Sequence, residues 1–155
     1  MELQRYFKED DGSLPEIELH FPSPIQVARA FAHLFALGAV DATVGGCRVW
    51  VPATDSDRPF SSPADAELAV NGDLEPFHIV LADVSLGETV IPDVGVWVDA
   101  DGITLDYRMG PEWGSAQIDG LIRLLRDLRK LGASIAVPWW GADGERAFND
   151  RMGGT

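Results

Sequence analysis

Cysteine, lysine and long apolar runs are all scarce in this chain of 155 residues. The single cysteine, Cys47, has no partner for an internal disulfide, which indicates a protein that does not depend on an oxidising compartment. No apolar run approaches the roughly 20 residues of a transmembrane helix, and the first residues contain no apolar signal core. We therefore expect a cytoplasmic protein that does not enter a membrane.

Basic side chains are also few, with 12 Lys and Arg against 25 Asp and Glu, and the net charge is −13. Phosphate groups attract Lys and Arg, so this charge argues against direct binding to nucleic acid or to an anionic membrane. It favours attraction to a basic partner. The hydrophobic fraction of 46% is ordinary for a globular protein, and the length suits a single domain over residues 1–155.

Motifs that would identify a catalytic or metal site are missing. The chain has no GxGxxG or GxxxxGK[ST] phosphate loop and no HExxH zinc motif. Asp99-Ala100-Asp101-Gly102 matches part of a calcium loop, but a hairpin turn explains it better because Asp and Gly suit turn geometry. We interpret His20, His33 and His78 as half-exposed histidines beside carboxylates, and Cys47 as a small buried residue. The sequence predicts no cofactor and no metal ion.

Two segments have the apolar spacing of amphipathic helices. The first covers residues 24–37 and begins with a capping sequence from Ser23 to Gln26. The second covers residues 114–131 and ends in a basic cluster, Arg123 to Lys130. We interpret this cluster as a solvated face with the pairs Asp119–Arg123 and Arg123–Asp127, and an anion-binding patch is the alternative.

Alternating or continuous apolar runs predict strands, and those at 94–99 and 103–109 form a hairpin. The other strands are expected at residues 16–21, 43–51, 77–84 and 134–140, the last at an edge because of Pro138. Residues 52–76 read as a long loop with a helical turn near 64–69, and a second helical turn is expected near 145–151. This order predicts an α+β fold, a mainly antiparallel sheet of five to six strands with two helices packed on one face.

The tryptophans divide into two groups. Trp50 and Trp97 alternate with valines, so both lie on the open face of the sheet if the helices cover the valines. The alternative is a second small core under the 52–76 segment. Trp113 lies between glycines, and we expect it to fill the gap between the hairpin and the second helix, with exposure as the alternative.

In overall character this strongly acidic chain without catalytic motifs is similar to the small acidic immunity proteins of bacterial toxin systems. The resemblance carries no individual residues across. It implies an inhibitor that neutralises a basic toxin or nuclease, with fast association through charge complementarity. Acids of the 52–76 segment and aromatics at loop or edge positions are the candidate partner contacts. They are Asp55, Asp57, Asp65, Glu67, Asp73, Glu75, Trp113, Trp139 and Trp140.

Two other functions are consistent with the sequence. One is a small hydrolase-like enzyme that uses a carboxylate with His20 or His78 in a cleft. A polar cavity beside either histidine would keep this hypothesis, and the absence of one would remove it. The other is a structural subunit of a larger assembly. The charge and the surplus aromatics favour a binding protein over an enzyme.

Overall fold

Ten strands and four α-helices make up the described part of the chain, residues 3–153 of a computed structural model. The strands are β1 (Glu16–His20), β2 (Val40–Asp41), β3 (Arg48–Val51), β4 (Ser56–Pro59), β5 (Phe77–Ala82), β6 (Ser85–Leu86), β7 (Thr89–Val90), β8 (Val94–Val98), β9 (Gly102–Tyr107) and β10 (Ser134–Ala136). The helices are α1 (Pro24–Ala36), α2 (Ala64–Asn71), α3 (Ser115–Lys130) and α4 (Gly141–Met152).

Six of the strands form one sheet in the order β10-β1-β9-β8-β5-β2, and all five pairings in it are antiparallel. This confirms the α+β class, the mainly antiparallel sheet and the hairpin of β8 and β9. One face of the sheet is apolar. It contributes alternate side chains, such as Ile17, Ile79 and Val96, to a hydrophobic core that also holds the leucines of α3. The other face carries the intervening polar residues.

The helices differ in number from the sequence prediction. Helices α1 and α3 confirm the two predicted ones, but α2 and α4 were expected only as helical turns. Tertiary contacts explain the difference, because α2 packs on α1 and α4 packs on α3. Helix α4 buries Ala147, Phe148 and Met152 in doing so. No helix in residues 3–153 combines the length and apolarity needed to cross a membrane.

The segment from residue 43 to residue 59 also departs from prediction. Only Arg48–Val51 of the expected strand 43–51 is extended, because Gly45 and Gly46 have φ of 78° and 84° and form a turn. Strand β3 pairs with β4, so part of the expected loop is a separate two-stranded sheet. The strand predicted over 134–140 ends at Ala136, since Pro138 begins a 3-10 turn, but its edge position is confirmed.

Trp113 is fully buried, so the alternative of an exposed Trp113 is wrong. Its indole N–H donates to the Arg108 carbonyl at 2.9 Å, and its ring contacts Phe7 and Tyr107. The Tyr107 hydroxyl donates to the Tyr6 carbonyl at 2.6 Å and accepts from the Trp140 indole at 2.9 Å. Burial raises the pKa of the Tyr107 hydroxyl, so it stays a neutral donor. These bonds join the N-terminal turn, the sheet and the C-terminal segment.

We expect Tyr107→Phe to lower the free energy of unfolding by about 1–3 kcal/mol, because the buried Trp140 indole and Tyr6 carbonyl lose their partner. Chemical denaturation measures this. Tyr6→Phe is the matched control, since the Tyr6 hydroxyl makes no hydrogen bond within residues 3–153, and its effect should stay within about 0.5 kcal/mol. Equal losses in the two variants would contradict the role given to the Tyr107 hydroxyl.

Candidate functional site

The polar face of the main sheet is organised in rows by the strand register. Neighbouring strands place directly opposed residues side by side, about 4.5–5.5 Å apart at Cβ. One row across β1, β9, β8 and β5 consists of Glu18, Thr104, Trp97 and His78. The adjacent row consists of Glu16, Asp106, Gly95 and Val80. We call the polar residues of these two rows, with Trp97, the open face.

The open face is acidic and solvent-exposed. Trp97 is 39% exposed, and the side chain of His78 is 41% exposed. Glu16, Glu18 and Asp106 contribute three carboxylates, whereas none of the six strands contains Lys or Arg. The face therefore has a negative potential and carries one large, exposed aromatic side chain, Trp97.

A hydrogen bond between His78 and Asp106 crosses the open face. Nε2 of His78 lies 2.7 Å from Oδ2 of Asp106, although β8 separates the two strands that carry them. Gly95 of β8 lies beneath this bond. A Cβ at position 95 would overlap both carboxylate oxygens of Asp106 and Nε2 of His78. The missing side chain at Gly95 is thus what lets the two groups meet.

A cavity of about 330 Å³ lies at this bond. Its lining consists of Glu16, His78, Trp97, Thr104 and Asp106. A polar cavity beside His78 is what the hydrolase hypothesis requires, so that hypothesis stands for His78. His20 does not line this cavity.

The hairpin turn holds the Trp97 indole at the cavity wall. The indole N–H donates to Oδ2 of Asp99 at 2.9 Å. Oδ1 of Asp99 accepts the backbone N–H groups of Asp101 and Gly102. The carboxylate of Asp99 is thus occupied within the turn, which confirms the hairpin interpretation of this segment over the calcium interpretation.

Glu16, Gly95 and Asp106 were not among the site residues predicted from the sequence. One signal was present, since a glycine inside an apolar strand pattern such as VGVWV marks a bulge or a close approach. The group that approaches Gly95 is determined by the pairing of β5, β8 and β9. Local residue spacing does not indicate how these strands pair.

The other two histidines lie beside carboxylates, and the cysteine is buried. His20 lies 3.6 Å from Glu18 and His33 lies 3.3 Å from Asp127, so each of the three histidines has a carboxylate neighbour, as expected. Cys47 is buried, and burial together with the charges of Asp41 and Asp65 raises the pKa of its thiol to about 11. A thiol with this pKa is a poor nucleophile at neutral pH. Within residues 3–153 no cluster of His, Cys, Asp and Glu is suited to a metal ion.

Two of the six predicted contact acids are engaged by arginines. Asp57 forms a two-bond pair with Arg48 at 2.9 and 3.0 Å, and these bonds lower the pKa of the Asp57 carboxyl. Asp65 is buried, with 2% of its surface exposed, and accepts two bonds from Arg58 at 2.8 and 3.1 Å. Asp65 therefore holds α2 against β4 and does not face a partner, contrary to its predicted role.

The remaining predicted acids lie at the surface. Asp55, Glu67, Asp73 and Glu75 are exposed, and none forms an ion pair in the described part of the chain. They stay candidate contacts.

The predicted aromatic contacts divide into buried and exposed side chains. Trp113 and Trp140 lie in the core, because their rings fill the cluster around Phe7 and Tyr107. Neither can act as a surface anchor in this conformation. Trp139 is 53% exposed and stays a candidate. Trp50, 43% exposed, and Trp97 do not form a second core, so that alternative is wrong.

The basic cluster of α3 stabilises the C-terminal helix. Arg126 and Arg129 donate to the carbonyls of Arg151 and Met152 at the end of α4. Asp119 pairs with Arg151, so the expected pairs of Asp119 and Asp127 with Arg123 do not form within residues 3–153. The structural interpretation of the cluster is supported, but through helix–helix contacts that the i,i+4 spacing did not indicate.

Comparisons with protein-family models, with curated proteins and with solved structures find no match to this chain.

Replacing Gly95 tests the crossing bond directly. A glycine inside a strand ordinarily costs about 0.5–1 kcal/mol relative to alanine, so alanine at an unobstructed position would stabilise the protein. We expect Gly95→Ala to lose this gain, because the new Cβ overlaps the ends of the Asp106 and His78 side chains, which must turn away and break their hydrogen bond. Denaturant unfolding measures the change in the free energy of unfolding for each variant. In an Asp106→Ala background the gain of about 0.5–1 kcal/mol should return, and the same gain from Gly95→Ala in the wild-type protein would refute the close approach.

Asp65 makes the protein sensitive to acid. Burial raises the pKa of its carboxyl, but the bonds from Arg58 and the Ser61 N–H outweigh burial, and the net pKa lies below its ordinary value. The stabilisation is therefore complete above about pH 4 and is lost as the pH falls through the lowered pKa.

We expect Asp65→Asn to lower the free energy of unfolding by about 1–3 kcal/mol at pH 7, and the difference from wild type to shrink at pH 2–3. Asp73→Asn makes the same charge change without removing an arginine pair found in residues 3–153 and should have a small effect. Denaturation at several pH values measures both. A difference independent of pH would contradict the pairing.

Proposed function

We propose that this chain is a cytoplasmic protein-binding module that neutralises a basic partner, as an immunity-type inhibitor does for a toxin or nuclease. The observation that carries the proposal is the open face, where three carboxylates share one surface with an exposed Trp97 and none of the six strands supplies Lys or Arg. Aromatic side chains within a polar rim are typical of protein interfaces.

The charge distribution supports a basic partner. Exposed acids of the 52–76 segment add to the field of the open face, and the whole chain carries −13. Such a field steers a basic protein during diffusion and raises its association rate, most strongly at low salt. We assign this steering to Asp55, Glu67, Asp73 and Glu75, and the lasting contacts to the open face.

Binding kinetics separate these two roles. The partner is first obtained by affinity capture on the tagged protein, with washes at low and then moderate salt. The loop variant combines four substitutions, Asp55→Asn, Glu67→Gln, Asp73→Asn and Glu75→Gln. We expect it to associate with the partner severalfold more slowly than the wild-type protein at low salt. Trp97→Ala should mainly raise the dissociation rate, and the binding free energy should weaken by about 2 kcal/mol or more.

Trp139→Ala is the competing variant, since Trp139 is an exposed candidate contact that lies outside the open face. If Trp139→Ala weakens binding and Trp97→Ala does not, the interface lies at the loops. An unchanged association rate in the loop variant would refute the steering. A partner that is toxic alone and harmless on coexpression supports an inhibitor, whereas a constant stoichiometric partner without toxicity supports a structural subunit.

The cavity beside His78 favours a second candidate, a small hydrolase-like enzyme. Asp106 would orient the imidazole of His78, and the imidazole would act as a general base toward water. Hydrolysis of an ester or phosphoester substrate that is lost in both His78→Ala and Asp106→Asn, and kept in His20→Ala, would support this function. Equal activity in all three variants would reject it.

A further inference from the structure

We propose that the cavity over Gly95 binds the guanidinium group of an arginine on the partner. The proposal rests on the proposed function, because it names the chemical group that the open face receives. The cavity combines negative charge, an aromatic wall and the Thr104 hydroxyl, which has no hydrogen-bond partner within residues 3–153.

The carboxylates of the cavity have unused acceptor capacity. Oδ2 of Asp106 bonds to His78, but Oδ1 has no hydrogen-bond partner within residues 3–153. Glu16 forms neither an ion pair nor a side-chain hydrogen bond there. No Lys or Arg lines the cavity. Two carboxylates, one of them bonded to His78 through a single oxygen, therefore face the same space without a Lys or Arg, and a guanidinium group between them would gain charge-assisted hydrogen bonds.

The aromatic wall selects the kind of cation. Trp97 lines the cavity, and its bond to Asp99 restrains the orientation of the ring. Tryptophan is the best aromatic acceptor for cation–π contacts, and arginine uses it more often than lysine does. A planar guanidinium also presents several donors in a fixed fork, which can reach Glu16, Asp106 and the Thr104 hydroxyl together.

The dimensions of the cavity suit one side chain. At about 330 Å³ it lies at the lower end of small-molecule pockets, which run from roughly 300 to 1,000 Å³. It is open on the same face as the proposed contacts, so a side chain from a docked protein can enter it. Gly95 lies beneath the His78–Asp106 bond that lines the cavity, and any side chain at this position would displace both groups.

The test uses the intact protein and two small probes, Nα-acetyl-arginine amide and its neutral analogue, Nα-acetyl-citrulline amide. Their shapes are closely matched, and only the arginine probe is charged. NMR follows the indole N–H of Trp97, identified by its absence in Trp97→Phe. We expect a saturable shift with the arginine probe and at least about a tenfold weaker response to citrulline, because the charged hydrogen bonds are lost.

Three variants place the site. Asp106→Asn and Glu16→Gln should each lower the affinity for the arginine probe by about tenfold. Glu16→Gln leaves the His78–Asp106 bond in place. Glu18→Gln is the matched control: it removes the same charge from the same face but does not line the cavity, and its effect should stay within about twofold.

The outcomes distinguish the cavity from the proposed function. Equal responses to arginine and citrulline, no saturable shift, or equal losses in Glu16→Gln and Glu18→Gln would each overturn the cation site, and the open face could still bind a basic protein elsewhere. A site that passes every test while no basic partner is found would overturn the proposed function and leave the cation site standing.

Discussion

The alternation of side chains along β1, β5, β8 and β9 is the constraint on which the rest of this structure depends. In each strand alternate residues are buried apolar groups, and the intervening residues, which include every charged side chain of these strands, face the opposite side of the sheet. A shift of the register by one residue would bury Glu16, Glu18 and Asp106 without partners, which is energetically prohibitive. The same alternation that builds the core therefore places the carboxylates, His78 and Trp97 on one shared surface.

The arginines have a complementary distribution. Arg48 and Arg58 hold the β3–β4 unit and α2 through Asp57 and Asp65, and Arg126 and Arg129 secure the end of α4. These four arginines, out of 12 Lys and Arg in the chain, thus stabilise contacts between secondary-structure elements. The open face keeps its negative charge as a result, and this separation of charges supports a basic partner more directly than the net charge does.

The bond from His78 to Asp106 connects the binding and enzymatic hypotheses. An imidazole and a carboxylate over a glycine can recognise a charged group or can move a proton, and the same residues serve both purposes. The exposed tryptophan and the neighbouring Glu16 favour recognition, because neither is needed for general-base chemistry while both suit a cationic side chain.

Local patterns determined a large part of the fold. The helices α1 and α3, the β8–β9 hairpin and the edge position of β10 follow from spacing and turn chemistry that lie within about 20 residues of sequence. Tertiary contacts decided the rest. The length of α4 depends on burial of Phe148, α2 depends on the Arg58–Asp65 pair, and Trp140 is buried because Tyr107 lies beside it.

The candidate site belongs almost wholly to the tertiary structure. The acidic character of the chain was evident in the composition, but Glu16, His78, Gly95 and Asp106 are separated by 62, 17 and 11 positions in the chain and meet only through strand pairing. Side-chain periodicity determines which face each residue occupies, whereas the strand order and register determine which residues on that face are neighbours.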